Sequence, residues 1–100
     1  MNTPVNTPAI GVVTFEIHIE HAHSLKDKRQ VVKSLKDRLR AKFNVAVSEI
    51  GDQDLWQRGL IACVTVSSDR THAEQTLQHV EEEAASQLGG MLVSATVEWI

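Results

Sequence analysis

"TFEIHIEHAHSLKDKRQVVKSLKDRLRAKFNVAV", Thr14 to Val47, changes its hydrophobic period twice, and those two changes decide the fold. Up to Glu20 the chain alternates. Val13, Phe15, Ile17 and Ile19 point one way and Thr14, Glu16, His18 and Glu20 the other, as in a strand from Ile10 with one buried face. Ser24 followed three residues later by Asp27 opens a helix in the manner of a capping box. Leu25, Val31, Val32, Leu35, Leu39 and Phe43 then fall on one arc at about 100° per residue. From Asn44 the pattern is extended again, to Ile50.

The same stretch holds eight of the ten Lys and Arg residues in a chain of formal net charge −3. Between Lys26 and Lys42 those eight bases meet two acids, Asp27 and Asp37, so the segment carries +6 and the remainder −9. On the helical wheel Lys26, Arg29, Lys33, Lys36 and Arg40 recur every three or four residues. They form a straight basic stripe beside the apolar arc, with Asp37 and Asp27 expected off it. Such a stripe suits contact with phosphates, where cations gain affinity by releasing counterions; its bland alternative is a solvated helix face. Lys28 differs, because it falls inside the apolar arc. Snorkelling to the helix end is the first expectation for it, and a pairing with Glu49 the second.

Outward from this stretch, Met1 to Ala9, with its repeated Asn-Thr-Pro, reads as a flexible tail, and residues 10–100 as one domain. Gly51-Asp52-Gln53-Asp54 is a turn, followed by a strand from about Trp56 to Ser67 in which Gly59 marks a bulge. Alternation sets Trp56 and Arg58 on the side of Leu60 and Ala62, the expected core side; a bulge at Gly59 would reverse that and make Trp56 and Arg58 an exposed platform at the hairpin. Ser68-Asp69 caps a second helix with Ala73, Leu77, Val80, Ala84 and Leu88 at helical spacing, and Gly89-Gly90 ends it. Met91, Val93, Ala95, Val97 and Trp99 alternate in a last strand. Strand, helix, strand, strand, helix, strand implies an α+β ferredoxin-like split β-α-β sandwich: a four-stranded antiparallel sheet with both helices on one face.

Several function classes find no support. One cysteine, Cys63, makes no disulfide framework or thiolate zinc site and suits a reducing cytoplasm. No apolar run approaches the ~20 residues that a membrane span needs, and no secretory signal is evident. His18, Glu20, His21 and His23 lack the spacing and the supporting partners of a metal site, so no metal or other cofactor is expected. Cys63 reads as a small buried hydrophobe, and Ser67, Ser68 and Asp69 as a cap. No nucleophile or acid-base constellation follows, and a non-enzymatic protein is expected. The residues expected to face away from the helices are Thr14, Glu16, His18, Cys63, Thr65, Ser94, Thr96 and Glu98. None is aromatic, so an RNA contact would not use base stacking on the sheet.

Ser24-Leu25-Lys26 with Lys28-Arg29, Ser34-Leu35-Lys36, Phe43-Asn44-Val45, Glu49 and Trp56-Gln57-Arg58 stand in the order and separation found in the small bacterial family DUF503, or YlxP-like proteins, which the chain resembles. The resemblance covers about Gly11 to Ile100; only the longer amino-terminal tail departs from it. It implies a ferredoxin-like fold. It also implies an association with translation, because genes of the family often lie beside those for translation initiation factor 2 and ribosome-binding factor A. The expected role is therefore a non-enzymatic cytoplasmic module that binds RNA or another anionic surface, with ribosomal RNA or a ribosomal subunit as the expected partner; electrostatics alone does not choose RNA over an acidic protein. The module would use Lys26, Arg29, Lys33, Lys36 and Arg40, with Arg58 as an outlying contact and Lys28, Trp56 and Gln57 as further candidates. The competing expectation is a protein-interaction or homodimerisation module acting through sheet edges or the open sheet face. A small-ligand site would need a pocket at the Asp54 to Arg58 hairpin.

Overall fold

The computed structural model describes residues 7–100, so the tail expected at residues 1–9 lies for the most part outside the described residues. Six main elements follow in order: β1 (Ala9–His18), α1 (Leu25–Lys42), β2 (Val45–Gly51), β3 (Arg58–Ser67), α2 (Arg70–Leu88) and β4 (Leu92–Trp99). All strand pairs are antiparallel, in the spatial order β2-β3-β1-β4. This is the ferredoxin-like sandwich expected from the element order, with β2 and β4 as edges.

Local chemistry explains the boundaries. Ser24 Oγ accepts from the Asp27 N–H at 3.1 Å, an orphan donor of the first turn, and Asp27 Oδ2 reaches back to accept from the N–H of His23, just before the cap, at 3.0 Å. Asp69 caps α2 through the Thr71 N–H. Gly89, at φ +56°, ends α2 in a left-handed conformation that a glycine adopts without a Cβ clash. A 3-10 turn, Gly89–Met91, then leads into β4.

Both helices pack on one face of the sheet. Between them lie Val13, Phe15, Ile17 and Ile19 of the first strand and its extension, Val32, Leu35 and Leu39 of α1, Ile61 and Cys63 of β3, and Leu77, Val80 and Ala84 of α2. At the end of this core the indole of Trp99 crosses Gly11. A Cβ on residue 11 would lie 2.7 Å from both Trp99 Cζ3 and Leu77 Cδ1. Gly11→Ala is therefore expected to overpack the site and cost about 1–3 kcal/mol, read as a lowered midpoint in thermal unfolding.

β3 corrects two expectations. Gly59, Ile61, Cys63 and Thr65 face the helices, whereas Arg58, Leu60, Ala62, Val64 and Val66 occupy the open face. Leu60 to Val66 is apolar on both alternations, so the period-2 pattern did not distinguish the sides. The open face thus carries aliphatic side chains where Cys63 and Thr65 were expected, and among the described residues no strand places a Phe or Trp on it. The expected bulge is absent at Gly59, which pairs regularly with Ile17; the irregularity lies across the ladder in β2, between Glu49 and Gly51.

Burial pushes the Cys63 thiol up to about 12. In the native protein it is expected to resist thiol reagents at pH 8 and to react only as fast as the chain unfolds. Rapid labelling of native protein would contradict this packing.

Candidate nucleic-acid interface

The eight bases of the α1 region sort into three environments. Lys28 enters the core. Its side chain is 1% exposed, and its ammonium donates to the carbonyls of Asp52 and Arg58 and stands 2.9 Å from Glu49 Oε2. That buried oxygen accepts no other hydrogen bond among the described residues, so the ammonium is its compensation. Gly59 lies beside the pair; a Cβ there would lie 3.2 Å from Ile17 and 3.5 Å from Glu49 Oε2. Lys28 does not snorkel: the carboxylate and two carbonyls together replace the water that it leaves.

This ammonium also fixes the β2-β3 connection. Asp52 has φ +59°, the left-handed region, and its carbonyl is held by both Lys28 and the Leu55 N–H. Gln57 completes the staple by donating to the carbonyls of Glu20 and Ala22, while its own carbonyl accepts from the Ile19 N–H. Three of the motif positions singled out in the sequence, Lys28, Glu49 and Gln57, therefore join two loops at one end of the sheet. Lys28 is not presented to a partner, and Gln57, though exposed, spends its amide N–H groups on the loop carbonyls.

Arg38 and Lys42 form the second group. Both pair with Glu83 of α2, whose carboxyl is held below its ordinary pKa by hydrogen bonds from Lys42 and Arg38. They tie the helices together at a surface separate from the stripe.

The third group is the stripe. Arg29, Lys33, Lys36 and Arg40 line one open depression of about 360 Å³ beside β2, with Val32 and Glu49 also in its wall. Lys26 continues the line toward the start of α1 and is exposed. Among the described residues no carboxylate lies within ion-pair distance of Lys26, Arg29 or Lys36.

Asp37 changes the charge count. It was expected off the stripe, but its carboxylate bonds Lys33 and stands 3.8 Å from Arg40, and the Lys33 hydrogen bond holds its carboxyl below the usual range. The four-residue spacing from Lys33 and three-residue spacing to Arg40 bring it within reach of both. Five bases less this acid leave four net positive charges. Arg40 also serves the sheet, because its guanidinium donates to the Val47 carbonyl on the outer side of β2, and Gln53 does likewise for Glu49. These side chains cover an edge that would otherwise invite strand pairing.

Arg58 and Trp56 are elsewhere. The Arg58 guanidinium is on the open face, 3.5 Å from Glu16 Oε1, across the sheet from α1. Trp56 is 52% exposed, contrary to the core side expected, and with His18, Asp54, Leu55, Gln57 and Arg58 borders an open depression of about 520 Å³. The stripe and this hairpin are thus two separate surfaces.

The chain is a ferredoxin-like sandwich with a basic groove between its first helix and an edge strand. The chain belongs to the family described as "Protein of unknown function (DUF503)", whose sequence pattern matches residues 10–97. It is similar to the uncharacterized protein YlxP of Bacillus subtilis, at 48% identity over 71 residues, covering 71% of this chain and 77% of that protein. Among solved structures it resembles the de novo designed protein Foldit4, with TM-score 0.59, 10% identity, and coverage of 94% of this chain and 97% of that one. It also resembles a C-terminal segment of the alpha subunit of aIF2 from Pyrococcus abyssi, with TM-score 0.53, 16% identity, and coverage of 93% and 49% respectively. At these identities the structural likenesses report the fold alone. No helix among the described residues is long and apolar enough to cross a membrane.

Proposed function

We propose that this protein is a non-enzymatic binding module that contacts the phosphate backbone of RNA through the α1 stripe, with ribosomal RNA as the partner to which the family's association with translation points. One observation carries the reading: Arg29, Lys33, Lys36 and Arg40 converge on a single groove, with Lys26 in line, while Lys28 is buried against Glu49 and Arg38 and Lys42 pair with Glu83. The sorting matters because it leaves the bases without a carboxylate partner among the described residues, Lys26, Arg29 and Lys36, on the stripe. An acidic polypeptide would satisfy the same charges. Two features favour a phosphate backbone: the stripe is straight, and the neighbouring edge of β2 is covered against pairing with an extended peptide.

Co-sedimentation with purified ribosomal subunits at about 50 and 200 mM salt tests the proposal. With Z of about 4 phosphate contacts the affinity is expected to fall about 50- to 150-fold across that range. Binding that does not change with salt, or no binding at the lower salt, would sink it.

A further inference from the structure

The two edges of the sheet are finished differently. Outward carbonyls of β2 are covered by Arg40 and Gln53, whereas among the described residues no side chain hydrogen-bonds to the backbone of β4. The Ile100 N–H donates to the Ile10 carbonyl, and bonded pairs alternate along an antiparallel ladder. The N–H and C=O groups of Ala95 and Val97 consequently point away from the sheet, free to pair.

Side chains on this edge are apolar too. Ala95 and Val97 stand beside the buried Phe15 and Val13 on the helix side, yet Val97 remains 40% exposed and Val93 56%. Leu92–Trp99 contains no lysine, arginine or proline, the residues that natural edge strands use against association. Its single charge is Glu98.

We propose that β4 is a homodimer interface: two copies pair their β4 strands antiparallel about a two-fold axis perpendicular to the sheet, making one eight-stranded sheet. The sequence of the edge selects a second copy. With Ala95 on the axis, Val97 of one copy meets the Leu92-Val93 end of the other, where β4 carries a bulge in its register with β1, so the exposed valines lie near each other. On the open face Ser94 meets Thr96, and Glu98 is the single charge of the strand, so no like charges oppose. The outward groups of Ala95 and Val97 fall in hydrogen-bonded positions of the new ladder. Nothing on the edge, by contrast, selects the charge of a foreign strand. The contact is isologous, as a closed dimer requires, and leaves both α1 stripes at the outer ends. It does not depend on RNA binding.

Sedimentation equilibrium of the full chain at about 100 µM is expected to give twice the 11.1 kDa chain mass. Ala95→Pro removes only an outward N–H, which the β1-β4 ladder does not use, and should give monomers with an unchanged circular dichroism spectrum. Val97→Lys should do the same by placing a charge on the axis-flanking contact. Val64→Lys, on the open face, should remain dimeric. A wild-type monomer at this concentration overturns the proposal. So does a dimer that survives both β4 variants, or one that only Val64→Lys dissociates, which would put the contact on the open sheet face.

Discussion

Glu49→Ala is expected to lower the unfolding free energy by about 3 kcal/mol, moving the urea midpoint at unchanged slope and lowering the melting temperature by roughly 12–24 °C. The size follows from what is left behind. The Lys28 side chain is 1% exposed, so loss of the carboxylate strands an ammonium in a place that water does not reach. Its two carbonyl partners remain and keep the cost near the lower end of the range for broken buried pairs. Lys28→Met fails differently: it leaves Glu49, at 16% exposure nearer to water, and strips donors from the Asp52 and Arg58 carbonyls. It should cost about 2–3 kcal/mol and loosen the Asp52 turn, where the left-handed backbone loses one of its two restraints. Asp37→Asn is the internal control. Its partners Lys33 and Arg40 are exposed, and it should leave the urea midpoint almost unmoved. A shift that small for Glu49→Ala as well would show that the Lys28 ammonium is solvated.

The second large effect is on binding. Converting Lys26, Arg29 and Lys36 to Glu takes the stripe from four net positive charges to two net negative ones and should weaken RNA binding by about 100-fold or more. These three are chosen because their removal breaks no ion pair among the described residues, whereas Arg40 also covers Val47 and Lys33 also holds Asp37. Stability should therefore be little changed, and a loss of binding can be assigned to charge. Asp37→Asn moves the other way: removing the acid from the stripe should tighten binding several-fold. Opposite signs from neighbouring positions on one helix are hard to obtain from misfolding, so the pair of results isolates the electrostatic contribution.

How much of this was legible in the sequence depends on which residues interrupt the pattern. β1 was readable because Thr14, Glu16 and His18 separate its core residues, and α1 because Ser24 and Asp27 mark its start. β3 was not, because valine, alanine, leucine and isoleucine follow one another from Leu60 to Val66 with only Cys63 and Thr65 between them. Both faces of that strand are apolar: one meets the helices and the other is the aliphatic open face. Lys28 stood out as a charge on an apolar arc. That it enters the core, though, depends on Asp52 and Arg58 presenting carbonyls from 24 and 30 residues away, which no local pattern contains. Asp37 was the avoidable miss, since its spacing from Lys33 and Arg40 already brought it to the stripe. The bare edge at β4 has no sequence signal of its own; it becomes visible only once the strand order places Leu92–Trp99 at the end of the sheet.

The central claim is that the positive charge of α1 is sorted, with part of it locked inside and a stripe left for phosphates. The slope of log K against log salt concentration for ribosomal RNA, by fluorescence anisotropy from about 50 to 200 mM, tests it most directly. Four phosphate contacts predict a slope between about −2.8 and −3.6 for the wild-type protein, collapsing toward zero when Lys26, Arg29 and Lys36 are made Glu. A wild-type slope near zero, or one that the triple substitution leaves unchanged, would contradict it.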